Sequence, residues 1–173
     1  MKGFHPCDKH HCVMLDSSLI VRVKEANLMA SPSHPEMPCT FRFEFDPVNK
    51  ILLIRLEGRL TDELYAEPQR AFWKHWAATD ASAAIVDFSS VTEFALSTGF
   101  VQRLVNKEVD QELVQDLYVR PRVVVATTDV EFGLARMYQI LGEGKHQNFK
   151  VVHTMDEAFI ALDIQSPLFE PLE

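Results

Sequence analysis

Two places in the sequence collect side chains able to do chemistry. Near the amino terminus, His5, Cys7, His10, His11 and Cys12 crowd together imidazole and thiolate groups of the kind that hold zinc. A closed structural site takes four ligands, commonly as two separated pairs, and no second pair accompanies this one. A weakly ordered extension is therefore the preferred reading there, and no metal is expected. The second place is Asp87, which follows the apolar residues 83–86 and so stands near the carboxyl end of a strand. Open α/β sheets place their ligands at such ends, and a carboxylate there could act as a general base. A plainer role, accepting hydrogen bonds from N–H groups of the following loop, explains it as well and is preferred. No histidine stands beside a serine or cysteine in a nucleophile motif. His75, His146 and His153 are scattered over a helix, a loop and a strand end, and are expected at the surface. Neither strand-to-helix turn, VATTDVEFG or LEGRLTDE, has the glycine spacing that cradles phosphate, so no nucleotide cofactor is expected.

The elements that would position these groups follow from periodicity. Val123, Val124 and Val125 form a β-branched run without polar alternation, as in a strand covered on both faces. Thr128 with Glu131 makes a capping box, and Val130, Leu134, Met137, Tyr138 and Leu141 then share one helical stripe. Arg136 lies between those apolar positions, suited to a carboxylate at the rim, to a partner, or to packing its stem along the helix. Gly142 and Gly144 stop the helix, and residues 149–153 return to strand.

Upstream, Phe41, Phe43 and Phe45 alternate with Arg42, Glu44 and Asp46, predicting a strand with one wet face that lies toward an edge. Residues 47–50 turn the chain into a partner strand over 51–57, with Leu52, Ile54 and Leu56 on one face and Gly58 as its end. Thr61, followed by Asp62 and Glu63, is the expected cap of a helix that Pro68 either kinks or restarts. A strand over 83–88 comes next. Ser97 or Thr98 then caps a helix bearing Phe100, Val101, Leu104 and Val105, and a capping box of Thr154 with Glu157 opens the last helix. The alternation predicts an α/β fold: a mixed, mostly parallel sheet with an N-terminal antiparallel hairpin strand, flanked by about four helices.

Residues 1–36 lack this regularity and end in SPSHPE, so they read as an extension and linker, with Met37 a natural start for the domain. The domain is expected over 37–164, and 165–173, with two prolines, reads as a loose tail. A net charge of −8 opposes broad contact with nucleic acid or anionic lipid. No apolar run reaches the ~20 residues that span a bilayer, and no secretory signal opens the chain, so a cytoplasmic protein without stable membrane association is expected. Three cysteines, Cys7, Cys12 and Cys39, give no disulfide framework.

The segments IVDFSSVTEFALSTGF, VVVATTDVEFGLARMYQILGE and FKVVHTMDEAFIAL, with MPCTFRFEFD ahead of them, resemble the STAS superfamily of sulfate-transporter and anti-sigma-factor-antagonist domains. The likeness is strongest to small bacterial single-domain proteins of the STAS/CRAL-TRIO-like group, and it runs from Met37 to about Ile164. It implies a non-enzymatic module that binds protein partners, or in some members small molecules, nucleotides or lipids. In anti-sigma antagonists, a serine opening the helix after the third strand is phosphorylated by a partner kinase. The family's aspartate-serine-serine-glycine signature is altered here. Counted without a gap, Ala95 replaces its aspartate and Ser97 takes the second serine's place; with one inserted residue, Thr98 takes that place.

The expected function is thus regulatory protein binding through the turn at 94–99, with Ser97 or Thr98 as the modified residue and Phe94 in the contact. The alternative is a carrier of a small apolar ligand or lipid, with Trp73, Trp76, Met137 and Tyr138 lining its pocket. Their helical spacing fits plain core packing too. An enzyme built on Asp87 ranks third. A homodimer covering the alternating first strand is a further expectation.

Overall fold

The computed structural model describes residues 39–109, 119–144 and 148–173. Residues 1–36, with the His/Cys cluster, and His146 lie outside the described residues. Ten elements follow in order: β1 (Thr40–Asp46), β2 (Ile51–Thr61), α1 (Ala66–Ala78), β3 (Ala83–Ala95), α2 (Thr98–Val109), β4 (Arg122–Val125), α3 (Asp129–Leu141), β5 (Phe149–Val152), α4 (Met155–Ala161) and β6 (Glu170–Leu172). The six strands form one sheet in the order β5-β4-β3-β2-β1-β6. From β2 to β5 the pairing is parallel, while β1 runs antiparallel to both β2 and β6. The predicted fold class is therefore the observed one: α/β, with a mixed, mostly parallel sheet and a leading antiparallel hairpin strand.

The sheet separates two cores. On one face Phe43, Leu52, Ile54, Leu56 and Val124 meet Phe72 and Trp76 of α1 and Ala135 of α3. On the other, Ile51, Leu53, Ile85, Val123 and Val125 meet Ala158 of α4. β2 is apolar on both faces because it feeds both cores, and Leu52 and Leu53 are each fully buried.

The strands outrun their predicted ends. β2 does not stop at Gly58; that residue adopts φ +86° and the strand continues to Thr61. β3 likewise runs to Ala95, so Asp87 sits within it and not at its end. Against the 11 residues of β2, β3 has 13, and the excess falls at two register shifts, between Arg55 and Glu57 and between Gly58 and Arg59. A bulge lets a strand keep pairing where perfect alternation fails, which is why alternation alone set the ends too early. Glycine at the second shift supplies the positive φ at little steric cost.

Thr61 ends β2 and caps no helix. Four turn residues intervene, and α1 begins at Ala66 with Tyr65 as an N-cap that makes no side-chain cap bond. Pro68 lies buried in the first turn of α1, where an absent N–H leaves no helical bond unmade, so it neither kinks nor restarts the helix. In α3 the predicted stripe is displaced: Val130 and Leu141 are exposed, and Glu131 and Ala135 are the residues buried toward the sheet. Both capping boxes form, Thr128 with Glu131 and Thr154 with Glu157.

The tail is also corrected. Residues 170–172 pair with Phe43–Phe45 as β6, making β1 the second strand from the edge. Asp46, with no exposed surface, explains the attachment. Its carboxylate accepts from Val48 N (2.9 Å), Asn49 N (2.9 Å), Asn49 Nδ2 (2.7 Å) and, across the chain, Leu168 N (3.0 Å). One side chain closes the β1–β2 turn and pins the segment entering β6. Proline at 167 and 171 limits helix there but does not hinder a short edge strand.

Burial alone would raise the pKa of Asp46, yet the donors from Asn49, Leu168 and Val48 outweigh it and hold the carboxyl below its ordinary value. A depressed pKa contributes stability above the unfolded value of about 4, and that contribution is lost as pH falls through the folded value. Replacing Asp46 with Ala removes every acceptor at once and should cost about 3 kcal/mol in urea unfolding at neutral pH. The difference between wild type and D46A should shrink as unfolding is repeated at pH values falling below about 4.

Candidate functional site

The residue that caps α2 is Ser97, not Thr98. Its Oγ accepts from Phe100 N (3.1 Å), and its carbonyl receives Val101 N (3.1 Å), the first helical bond. Thr98 is the first helical residue and is exposed. Ser97 is exposed as well, and its hydroxyl donates to Asp62 Oδ2 at 2.6 Å while its N–H donates to Asp62 Oδ1 at 2.8 Å. Asp62 comes from the turn between β2 and α1, brought alongside because β2 and β3 run parallel and end together, Thr61 opposite Ala95. Burial would raise the pKa of Asp62, but both bonds from Ser97 and the charge of Arg103, whose Nη2 is 3.8 Å away, keep it lowered and the group ionised. The corner thus joins an ionised carboxylate, an exposed hydroxyl and the positive end of a helix dipole.

Asp62 entered the sequence reading only as a charge in a helical first turn. Its true partner lies 35 residues away, and nothing local announces that contact. Phe94 was expected on the contact surface. It is half-buried, packs edge-on against Phe88 (5.3 Å) and lines a cavity instead.

That cavity, about 90 Å³ and partly open to solvent, lies between the sheet and helices α1, α2 and α3. Of the predicted pocket residues, Trp73 and Tyr138 line it. Trp76 has no exposed surface and belongs to the core, its indole Nε1 having no hydrogen-bond partner, and Met137 is not among the lining residues. The remaining wall is apolar except for Gln69, Tyr65 and Arg122. Arg122 was read only as the first residue of a unit. It is 5% exposed, with its guanidinium 5.5 Å from the ring centres of both Trp73 and Phe149.

Asp87 faces the opposite side of the sheet. It is 3% exposed, accepts from Ser89 N (2.9 Å) and pairs with Arg55 Nη1 at 2.7 Å. The loop-acceptor role is thus present, but the arginine on the adjacent strand is the larger partner. Arg55 also reaches Glu44 (3.3 Å), Glu44 reaches Arg42 (3.0 Å) and Arg42 reaches Glu57, so the ion pairs run across β1, β2 and β3. A carboxylate so engaged is a structural tie more than a base. Arg136 on α3 is exposed and donates to Gln139 on the next turn, not to a carboxylate.

Among the histidines, His75 is half-buried against Phe43 (ring centres 4.4 Å apart), and burial followed by the charge of Lys74 lowers its pKa. His153 is exposed yet stacked on Phe132 at 4.1 Å. Among the described residues no group of three or more His, Cys, Asp or Glu could hold a metal, and no helix is long and apolar enough to cross a membrane. No protein-family model matches the chain, and no curated protein matches it significantly.

Ser97→Ala should destabilise by about 1 kcal/mol in thermal unfolding, the usual cost of a lost N-cap, whereas Thr98→Ala should be near neutral. Arg55→Met leaves the buried Asp87 carboxylate without its cation and should cost about 3 kcal/mol; adding Asp87→Leu should restore much of that loss.

Proposed function

We propose that this chain is a cytoplasmic bacterial regulatory module resembling the STAS anti-sigma-factor antagonists. It works by docking on a protein partner, and Ser97 is the residue whose phosphorylation switches docking. The observation carrying this reading is the 2.6 Å hydrogen bond from the exposed Ser97 hydroxyl to the Asp62 carboxylate. The aspartate missing from the local signature at Ala95 has a spatial substitute on a different loop.

The chemistry fits the geometry. For a partner kinase to transfer the γ-phosphoryl group of ATP, a bond forms from Ser97 Oγ to phosphorus, the bond to the ADP oxygen breaks, and the hydroxyl proton must leave. Asp62 is ionised and already accepts that proton's hydrogen bond, so it is placed to receive it and pass it to water. The product carries roughly two negative charges beside a carboxylate. The α2 N-terminus and Arg103 offset part of the repulsion, but Ser97 Oγ can no longer donate to Asp62. The exposed surface around Ala95, Ser97, Thr98 and Leu64 then changes charge and local geometry together, which is what a partner would sense.

Incubating the full chain with native-cell lysate and ATP should place phosphate on Ser97 by mass spectrometry, and Asp62→Asn should slow its appearance more than about tenfold. A partner retained by the wild type in an affinity pull-down should be lost with Ser97→Asp. Phosphate absent from Ser97, together with an identical set of captured proteins for both forms, would overturn the proposal.

A further inference from the structure

We propose that the cavity between the sheet and helices α1, α2 and α3 is a binding site for a small aromatic carboxylate of about benzoate size. This is independent of the docking role of Ser97.

Three features of the cavity set the class. Its volume, about 90 Å³, is several times the ~10–15 Å³ that one water requires, and below the ~150 Å³ of an engineered cavity that encloses benzene. Because the space is partly open, one ring enters with its substituent toward a wall or the mouth, while a long acyl chain does not fit. The walls favour a ring: Trp73, Phe88, Tyr138 and Phe149 all contribute, and aromatic pairs gain from edge and offset contacts beyond simple burial. Water gains little from such walls, so an apolar guest displaces it readily.

Arg122 sets the charge. A guanidinium 5% exposed among indole and phenyl rings is a costly thing to bury, and it faces the same space as the apolar wall. Its planar fork of donors matches a carboxylate in two-point geometry, and the low polarity around it strengthens that bond. Lying on β4 opposite Phe149, it is held by the sheet register and does not need to move far to meet a ligand. A cation or a neutral ring of the same shape forgoes this interaction.

The full chain has two tryptophans, Trp73 on the cavity wall and Trp76 buried behind it, so tryptophan emission reports occupancy. Titration with benzoate and with benzyl alcohol, followed by emission and calorimetry, should show saturable benzoate binding at least about tenfold tighter than the alcohol. Arg122→Gln should remove that preference. Ala135→Leu, which fills the cavity without touching the arginine, should weaken both ligands by more than about tenfold. No saturable binding by the wild type, equal affinity for the two probes, or full benzoate affinity in A135L would each overturn the proposal. Should Arg122→Gln fail to fold, the wild-type preference and the Ala135→Leu result decide the matter.

Discussion

A strand buried on both faces must have every backbone group paired and every side chain packed, and β2 is that strand. Leu52, Ile54 and Leu56 look toward α1 and α3, while Ile51 and Leu53 look toward α4. Such a strand can only lie inside a sheet, so it needs a neighbour on each side. A tight turn supplies β1 antiparallel and a helical crossover supplies β3 parallel, which is why the sheet changes character at this strand. Beyond Leu53 the second face of β2 turns polar with Arg55, Glu57 and Arg59. Cross-strand ion pairs cover that half, while α4 covers the apolar half.

Aspartates fasten the ends of these elements. Asp46 gathers donors from the first turn and the C-terminal segment, Asp62 gathers both donors of Ser97, and Asp87 joins Arg55 to Ser89 N. Each is short enough to bond backbone close by and still reach a second segment. At Asp62 the fastening role and the regulatory role coincide. Tyr65, three residues on, stacks edge-on to Phe100 at 5.8 Å and forms part of the cavity wall. Whatever loosens Asp62 from Ser97 is therefore felt at the cavity through a single helical turn.

Much of the fold was legible because its determinants are local. β-branched runs and capping boxes depend on residues within four positions, and both boxes and the Val123–Val125 strand form as read. The hairpin turn at 47–50 was legible for the same reason. What escaped was non-local. The extension of β2 and β3 past their alternating stretches depends on bulges that each strand imposes on the other. The register of α3 shifted because Glu131, a polar residue satisfied by its own cap, could turn inward in place of Val130. At the candidate site Ser97 was readable from its cap preference, but its carboxylate partner was not. Arg122 looked like the polar start of an apolar strand, and only the neighbouring Phe149 and the overlying Trp73 give it meaning.

The pinning of β6 also governs how the molecule stays solitary. β1 presents Phe41, Phe43 and Phe45 in alternation, a sequence well suited to recruiting foreign strands. The closing segment occupies that margin at Phe43–Phe45, and one aspartate tethers it. Clipping the chain after Ile164 would uncover an adhesive border, with self-aggregation as the natural result, even though both hydrophobic cores would survive.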